Sequence, residues 1–332
     1  MSRSLGIWLA VLVVLFAGKG FAHEPHRAVT IERAQEATVG ILPSEEEAPR
    51  EAVKSHFSVR GSGVYIGDRY LVTARHAVEH QRGGKREVSD RIRVLTSQFE
   101  ELPARLIGVD AVLDVAVYRL DVDEREISLR PVNFSDKEPV SGEEILTVGY
   151  PLGWGPAMTF GRVGNTMTFL PTAQSRLLQL DMSACSGNSG GGVFDAAGNV
   201  VGLIHAVIQT ESIQSDRRCS HLTFAVPGPL VRQMVTALIQ GKHPPFSKLG
   251  IHMTAIKVGI HWRVAVKKAT GPARAAGLRP GDIVLAIDGT EIRSAAHLKS
   301  YVLEHTRPGQ RIAITIQRDA RQEVVHVTLG GS

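Results

Sequence analysis

From Thr38 to Val226 the chain runs as short apolar segments, each cut off within nine residues by Gly, Pro, Asn or Asp. The segments are Ser58 to Ile66, Tyr70 to Ala74, Val112 to Leu120, Ile145 to Gly149, Leu177 to Met182, Val200 to Val207 and Leu222 to Val226. Many short strands over some 190 residues predict an all-β sandwich or a pair of barrels. With 33 Gly and 5% aromatic residues, the composition suits strands and turns better than a helical bundle. One apolar helix is predicted near Pro229 to Gln240, with Leu230, Met234, Val235 and Leu238 on one face. Gly241-Lys242-His243-Pro244-Pro245 breaks it as a linker would. Lys248 to Leu329 then reads as a second module with strands, a turn-rich centre and a helix near Ala295 to Glu304. A length of 332 residues accommodates two such domains.

Residues 1–22 read as an export signal, with Arg3 as the positive flank, Leu5 to Ala17 as the apolar core and small residues at Gly20 and Ala22. The core is short of the roughly 20 apolar residues that span a bilayer. Export with cleavage is therefore expected, to a periplasmic location, and an uncleaved membrane anchor is the alternative. Removal of Arg3 and Lys19 leaves 36 bases against 33 acids, and no basic stripe carries interleaved aromatics, so nucleic acid is not an expected partner. Two cysteines, Cys185 and Cys219, suggest one disulfide in an oxidising compartment. Closing a loop of about 35 residues is worth roughly 3–4 kcal/mol. His23 and His26 are read as solvated; no metal and no cofactor is expected.

The stretch Cys185-Ser186-Gly187-Asn188-Ser189-Gly190-Gly191 carries the most chemistry. A serine hydroxyl attacks only when a base takes its proton and donors hold the oxyanion it creates. Flanking glycines let the backbone turn tightly, so that Gly187, Asn188 and Ser189 form a candidate oxyanion hole. The candidate base is His76, placed directly after the apolar segment Leu71 to Ala74. Asp114 sits as a lone acid within the apolar strand Val112-Leu113-Asp114-Val115-Ala116-Val117, so it is expected to be paired or at a strand edge. Asp110 and Asp121 flank it in turn-like surroundings and suit the role less well. The order His76, Asp114, Ser189 has spacings of 38 and 75 residues. It is the chain order of the chymotrypsin-type double barrel.

With these residues in place, the chain resembles the HtrA (Deg) family of exported trypsin-like serine proteases carrying PDZ domains. The resemblance rests on Gly61-Ser62-Gly63-Val64, Thr73-Ala74-Arg75-His76, Asp114-Val115-Ala116-Val117, Gly149-Tyr150-Pro151, Gln179-Leu180-Asp181, Gly187-Asn188-Ser189-Gly190-Gly191 and Phe224-Ala225-Val226-Pro227, in that order. Gly277-Leu278-Arg279-Pro280-Gly281-Asp282 and its apolar continuation are similar to the core of bacterial PDZ domains. The resemblance implies a mostly β molecule: a chymotrypsin-like double β-barrel protease domain, then a small PDZ β-sandwich with two helices. The expected boundaries are a signal at 1–22, a protease domain at 23–241, a linker at 242–247 and a PDZ domain at 248–332.

It also implies peptide binding at Leu249, Gly250 and Ile251, where backbone N–H groups would hold a terminal carboxylate. His297, Ser300 and Tyr301 are candidate groove residues on the helix that follows. Two departures are Gly192 where the family usually has Pro, and Arg75 where it has a small polar residue. A third is the cysteine pair, which in chymotrypsin-like enzymes ties two walls of the specificity pocket but is missing from most HtrA relatives. It is either a structural staple or a redox-sensitive element. Ser183, Ile204 and His205 are the candidate specificity residues; with no acid at Ser183, cleavage after small or aliphatic side chains is expected rather than after Lys or Arg. His205 and Ile204 are one residue apart, and one residue reverses the face of a strand.

The resulting expectation is an exported serine endopeptidase that degrades unfolded or damaged proteins. Its partners would be such substrates, C-terminal peptides at the PDZ domain, and further copies in a homotrimer or higher homo-oligomer. A largely inactive peptide-binding chaperone or scaffold, and a processing protease of narrow specificity, are the rival readings.

Overall fold

The computed structural model of the protein describes residues 24–44, 59–170, 173–207, 219–242 and 246–331. The expected signal at 1–22, and His23, lie outside them. Six strands close the first barrel: β1 (Thr38–Pro43), β2 (Gly61–Gly67), β3 (Tyr70–Ala74), β6 (Arg91–Leu95), β7 (Glu101–Asp110) and β8 (Val115–Leu120). A hairpin of β4 (Glu79–Arg82) and β5 (Lys85–Val88) forms a separate two-stranded sheet. The second barrel closes from β9 (Glu144–Gly149), β10 (Ala157–Thr168), β11 (Leu177–Cys185), β12 (Gly192–Phe194), β13 (Val200–Val207) and β14 (Cys219–Pro227). Closure leaves no unpaired sheet edge.

The apolar runs follow from double burial. Along β8, Val115 and Val117 join a core shared with Val148, Leu203 and Phe224 of the second barrel. Ala116, Tyr118 and Leu120 on the opposite face fill the first barrel. A strand buried on both faces shows a continuous apolar run instead of alternation. Helix α2 (Gly228–Ile239) follows β14 and buries Val231, Met234, Val235 and Leu238 in that shared core, whereas Leu230 is only partly buried. Helix α1 (Glu24–Ala37), which the sequence reading did not anticipate, buries Ala34 and Ala37 there.

Two expected strand limits are corrected. Val112 to Asp114 is a turn, not part of the strand, and Asp114 has φ 56°. The strand expected from Leu222 starts three residues earlier, at Cys219, which lies directly opposite Cys185 of β11, and the two are disulfide-bonded.

The second module has β15 (Ser247–Lys248), β16 (Ile251–Val258), β17 (His261–Ala269), α3 (Gly271–Ala275), β18 (Ile283–Ile287), β19 (Thr290–Glu291), α4 (Ala295–His305), β20 (Arg311–Arg318), β21 (Arg321–Thr328) and β22 (Gly330–Gly331). Its sheet runs β16-β17-β18-β20-β21, while β15 pairs β22. Leu249, Val264, Val284, Leu298, Ile314 and Val327 share one core that closes this module on itself. Across to the barrels, the buried Arg176 side chain reaches Glu304 of α4, with Nε to Oε2 at 2.8 Å. Among the described residues no helix is long and apolar enough to cross a membrane.

Candidate active site

The turn that carries Asp114 is built locally. Asp110 Oδ1 accepts the Leu113 N–H at 2.7 Å, and Asp tolerates the left-handed conformation better than most residues do. Asp114 O accepts the Arg75 N–H at 2.9 Å, tying this turn to the single 3-10 turn Arg75–Val78 that ends β3. Its carboxylate then receives His76 twice: the backbone N–H at 3.0 Å on Oδ1, and Nδ1 at 2.5 Å from Oδ2. With the Nδ1 proton directed at the carboxylate, Nε2 keeps its lone pair. Arg75 pairs with Glu79 at 2.6 Å.

His205 also meets Asp114, with Nδ1 3.0 Å from Oδ2. The contact lacks hydrogen-bond alignment, and this buried nitrogen has no aligned partner among the described residues. Geometrically it is a close ionic contact when the ring is charged. Burial raises the Asp114 pKa, but the contacts from His205 and His76 outweigh it and bring the carboxyl down to about 2. Asp114 is therefore an anion at neutral pH.

Ser189 is held against the first barrel by its backbone. Its carbonyl accepts the Ser62 N–H at 2.8 Å, and the next residue, Gly190, donates to Ile204 O at 2.8 Å. Gly187 has φ 101°, and a Cβ there would stand 2.2 Å from Tyr150 O, so only glycine fits. Asn188 N–H donates to Cys185 O at 3.0 Å, and its Oδ1 accepts the Cys185 N–H at 3.1 Å. The N–H groups of Gly187 and Ser189 donate to no acceptor among the described residues. Ser189 Oγ likewise makes no hydrogen bond to His76 among those residues.

Ser62 is the residue that sequence reasoning missed. Fully buried, its Oγ donates to Gly187 O at 2.6 Å and accepts the Tyr150 N–H at 2.9 Å, and its carbonyl accepts Thr73 Oγ1 at 2.6 Å. It links the serine turn to the strand that leads to His76. Its appearance in Gly61-Ser62-Gly63 was the available signal.

Of the candidate pocket residues, Ser183 is hydrogen-bonded to His221, with Oγ 3.0 Å from Nδ1. Ile204, 1% exposed, packs inside the second barrel with Val201, Val193 and Leu178, and His205 turns to Asp114. In the second module, Gly250 has φ 81° and a Cβ would lie 2.3 Å from Thr270 O. Leu249, Gly250 and Ile251 line a groove of about 420 Å³ together with Leu298, Lys299 and Val302 of α4. His297, Ser300 and Tyr301 are not on that face; Ser300 is buried and bonds Glu304. Val112, two residues before Asp114, also lines the groove.

A family model for a trypsin-like peptidase domain matches residues 61–203, and one for a PDZ domain matches residues 247–329. The chain is 27% identical over 299 residues to a probable periplasmic serine endoprotease DegP-like of Rhizobium meliloti (strain 1021), covering 86% of this chain and 56% of that one. It is 25% identical over 297 residues to the serine protease Do-like HtrA of Lactobacillus helveticus, covering 82% and 68% respectively. This chain thus spans a little over half the length of the DegP-like relative. The HtrA-type protease AlgW with tripeptide superposes with a TM-score of 0.71 at 27% identity, over 92% of this chain and 97% of that one. The serine endoprotease from Yersinia pestis does so with a TM-score of 0.64 at 25% identity, over 92% and 98%. A trypsin-like peptidase module ahead of one PDZ module is thus what the two family models match, and solved HtrA-type proteases resemble the chain over nearly its whole length.

Proposed function

We propose that the protein is an exported serine endopeptidase acting in the periplasm on unfolded or damaged proteins. In this reading residues 1–22 are a cleaved signal, 23–241 the protease domain, 242–247 the linker and 248–332 the PDZ domain. The observation that carries it is the His76–Asp114 pair beside the tight Gly187 turn that presents Ser189. Ser189 Oγ attacks the peptide carbonyl while His76 Nε2 takes its proton and later returns it to the leaving amine. Asp114 keeps the Nδ1 tautomer and balances the imidazolium. The N–H groups of Gly187 and Ser189, with the turn residue Asn188 between them, hold the oxyanion. The Ser189–His76 hydrogen bond closes on substrate, as such bonds tighten from free to bound enzyme.

Peptides bind at Leu249, Gly250 and Ile251, a mode supported by solved relatives described with a tripeptide and a decapeptide. Val112 on the groove wall gives such a peptide a physical route to the Asp114 turn. With Ile204 in the barrel core and His205 on Asp114, Ser183 is the candidate pocket residue that remains, and it offers no acid to read Lys or Arg, in keeping with a small or aliphatic preference. The assembly is a homotrimer or larger. Digestion of a casein-like substrate beside Ser189→Ala, with cut sites mapped, tests the reading. Scattered cuts after small aliphatic residues, lost in the variant, are expected. Equal negligible turnover in both, even with groove-binding peptides added, replaces it with the binding-scaffold reading.

A further inference from the structure

His205 has no part in the hydrolytic steps, yet its ring is brought to the most important carboxylate in the site. Nδ1 of His76 and Nδ1 of His205 lie 2.5 and 3.0 Å from the same oxygen, Asp114 Oδ2. One ligand atom from each of the three residues falls within 4.8 Å of the others. The two rings stand edge to face, 6.0 Å between centroids and 89° between planes, so they approach the carboxylate from different sides. The buried His205 nitrogen has no aligned hydrogen-bond partner among the described residues, which leaves its donor position uncommitted. Asp114 itself is fixed by its backbone contacts to Arg75 and His76 and cannot swing away.

Two imidazole nitrogens and one carboxylate oxygen around one point form a ligand set of intermediate softness. It suits zinc and the neighbouring first-row ions, with a fourth position left for water. Calcium and magnesium demand more oxygen ligands than are gathered here. Zinc–ligand bonds of about 2.0–2.2 Å set neighbouring donors a little over 3 Å apart, so the donors spread by under about 1 Å to admit the ion. The exposed His76 ring, whose side chain is 41% accessible, is free to make that adjustment.

We propose that His76, Asp114 and His205 bind one zinc-class divalent transition ion, which takes the Nδ1 lone pair of His76 and holds the protein in a reversible inactive state. The inactivation rests on the peptidase reading above; the binding does not. An ion on Nδ1 uses that nitrogen's lone pair, so the ring proton that Asp114 oriented there moves to Nε2, and Nε2 can no longer accept the proton of Ser189. Removing the ion restores the tautomer without any covalent change.

Calorimetric titration of the metal-stripped full chain with Zn²⁺, in the Ser189→Ala background, tests the site without turnover. One ion per chain at micromolar Kd or tighter is expected, weakened at least tenfold when His205→Thr is added. Titration of Ser189→Ala with Co²⁺ is expected to give the intense visible absorption of a tetrahedral ion, a readout that does not depend on the second variant folding. In parallel, hydrolysis by the unaltered chain should fall at stoichiometric Zn²⁺ and return with chelator, each rate referred to its own metal-free value. Absence of a binding event, or an event of equal affinity after His205→Thr, overturns the proposal. A His205-dependent event in a chain with no metal-free hydrolysis upholds the site and removes the peptidase reading instead.

Discussion

Ser62 shows how much one small side chain can hold. Its hydroxyl satisfies Gly187 O and the Tyr150 N–H, both buried, and its own N–H fixes Ser189 O. Ser62→Ala keeps the last bond and orphans the other two groups, at about 1–3 kcal/mol each. A loss of roughly 2–4 kcal/mol in urea unfolding is expected. Because Gly187 O anchors the turn that aims the candidate oxyanion donors, kcat should fall tenfold or more with little change in KM. Unchanged kcat in a folded variant removes Ser62 from that positioning role. The residues of the candidate site could be named from sequence, since Ser189, His76 and Asp114 offer a nucleophile, a base and a carboxylate in the order of a double-barrel fold, and the structure pairs His76 with Asp114. Their surroundings were not. Asp114 reads as a strand residue because Val112-Leu113 and Val115-Ala116 flank it, yet Asp110 pins a turn there that no apolar count reveals. His205 lies at a register shift between Ile204 and Ala206 in the β13–β14 pairing, and such a bulge re-aims a side chain in a way alternation cannot forecast.

Elements in this chain are fastened at their ends by a few charged or covalent ties. In the PDZ module Asp282, 2% exposed, accepts Arg318 Nε at 2.8 Å and Nη2 at 2.7 Å, plus the Arg279 N–H at 2.7 Å. These bind the start of β18 to the end of β20. Burial raises the Asp282 pKa, but the Arg318 hydrogen bonds, the Arg279 N–H and the charges of both arginines outweigh it, and the net shift is downward. A folded value below the unfolded one, about 3.9, means the stabilisation is complete above that pH and drains as pH falls through the folded value. The module should therefore lose stability on acidification below about pH 4, and Asp282→Asn should be less stable at neutral pH, by about 2 kcal/mol, with a flatter acid limb. Equal acid limbs in melts of the two proteins would refute the assignment. The Cys185–Cys219 bond ties β11 to β14 four residues before Ser189. Cys219→Ser together with Cys185→Ser should cost roughly 3–4 kcal/mol in the chain-entropy view. A melt insensitive to reductant would show that the ladder alone holds that corner. Short strands were legible because turn residues punctuate them; α1 was not, because its polar sequence shows no apolar stripe, and among its described side chains Ala34 and Ala37 are buried in the core with Ile31 packed against it.

At the scale of the whole molecule, the two modules meet around a buried cation. Arg176, 5% exposed, lies between the barrels and the PDZ helix α4, paired with Glu304 and Glu138 and donating to Thr166 O at 3.1 Å. Ser300 on α4 bonds Glu304 as well, so the acid is held ready for its partner. Breaking one side of a buried ion pair strands the other charge, which costs about 3–5 kcal/mol. Here Glu138 remains beside Arg176, so Glu304→Ala should sit at the low end, near 3 kcal/mol. That is enough to uncouple the modules in a molecule whose domains are each only marginally stable. Calorimetry should show one shared unfolding transition in the unaltered chain and two in Glu304→Ala. Replacing both partners by apolar residues, Arg176→Met with Glu304→Leu, should recover much of the shared transition, because no charge is then left buried. The same docking sets Val112 against the peptide groove, two residues from Asp114. If a groove peptide acts on hydrolysis through that contact, Glu304→Ala must also abolish its effect on rate while leaving its affinity for Leu249, Gly250 and Ile251 within a few fold. Peptide stimulation that survives undocking would mean that the modules communicate by another route, and that the Arg176 clasp is architectural only.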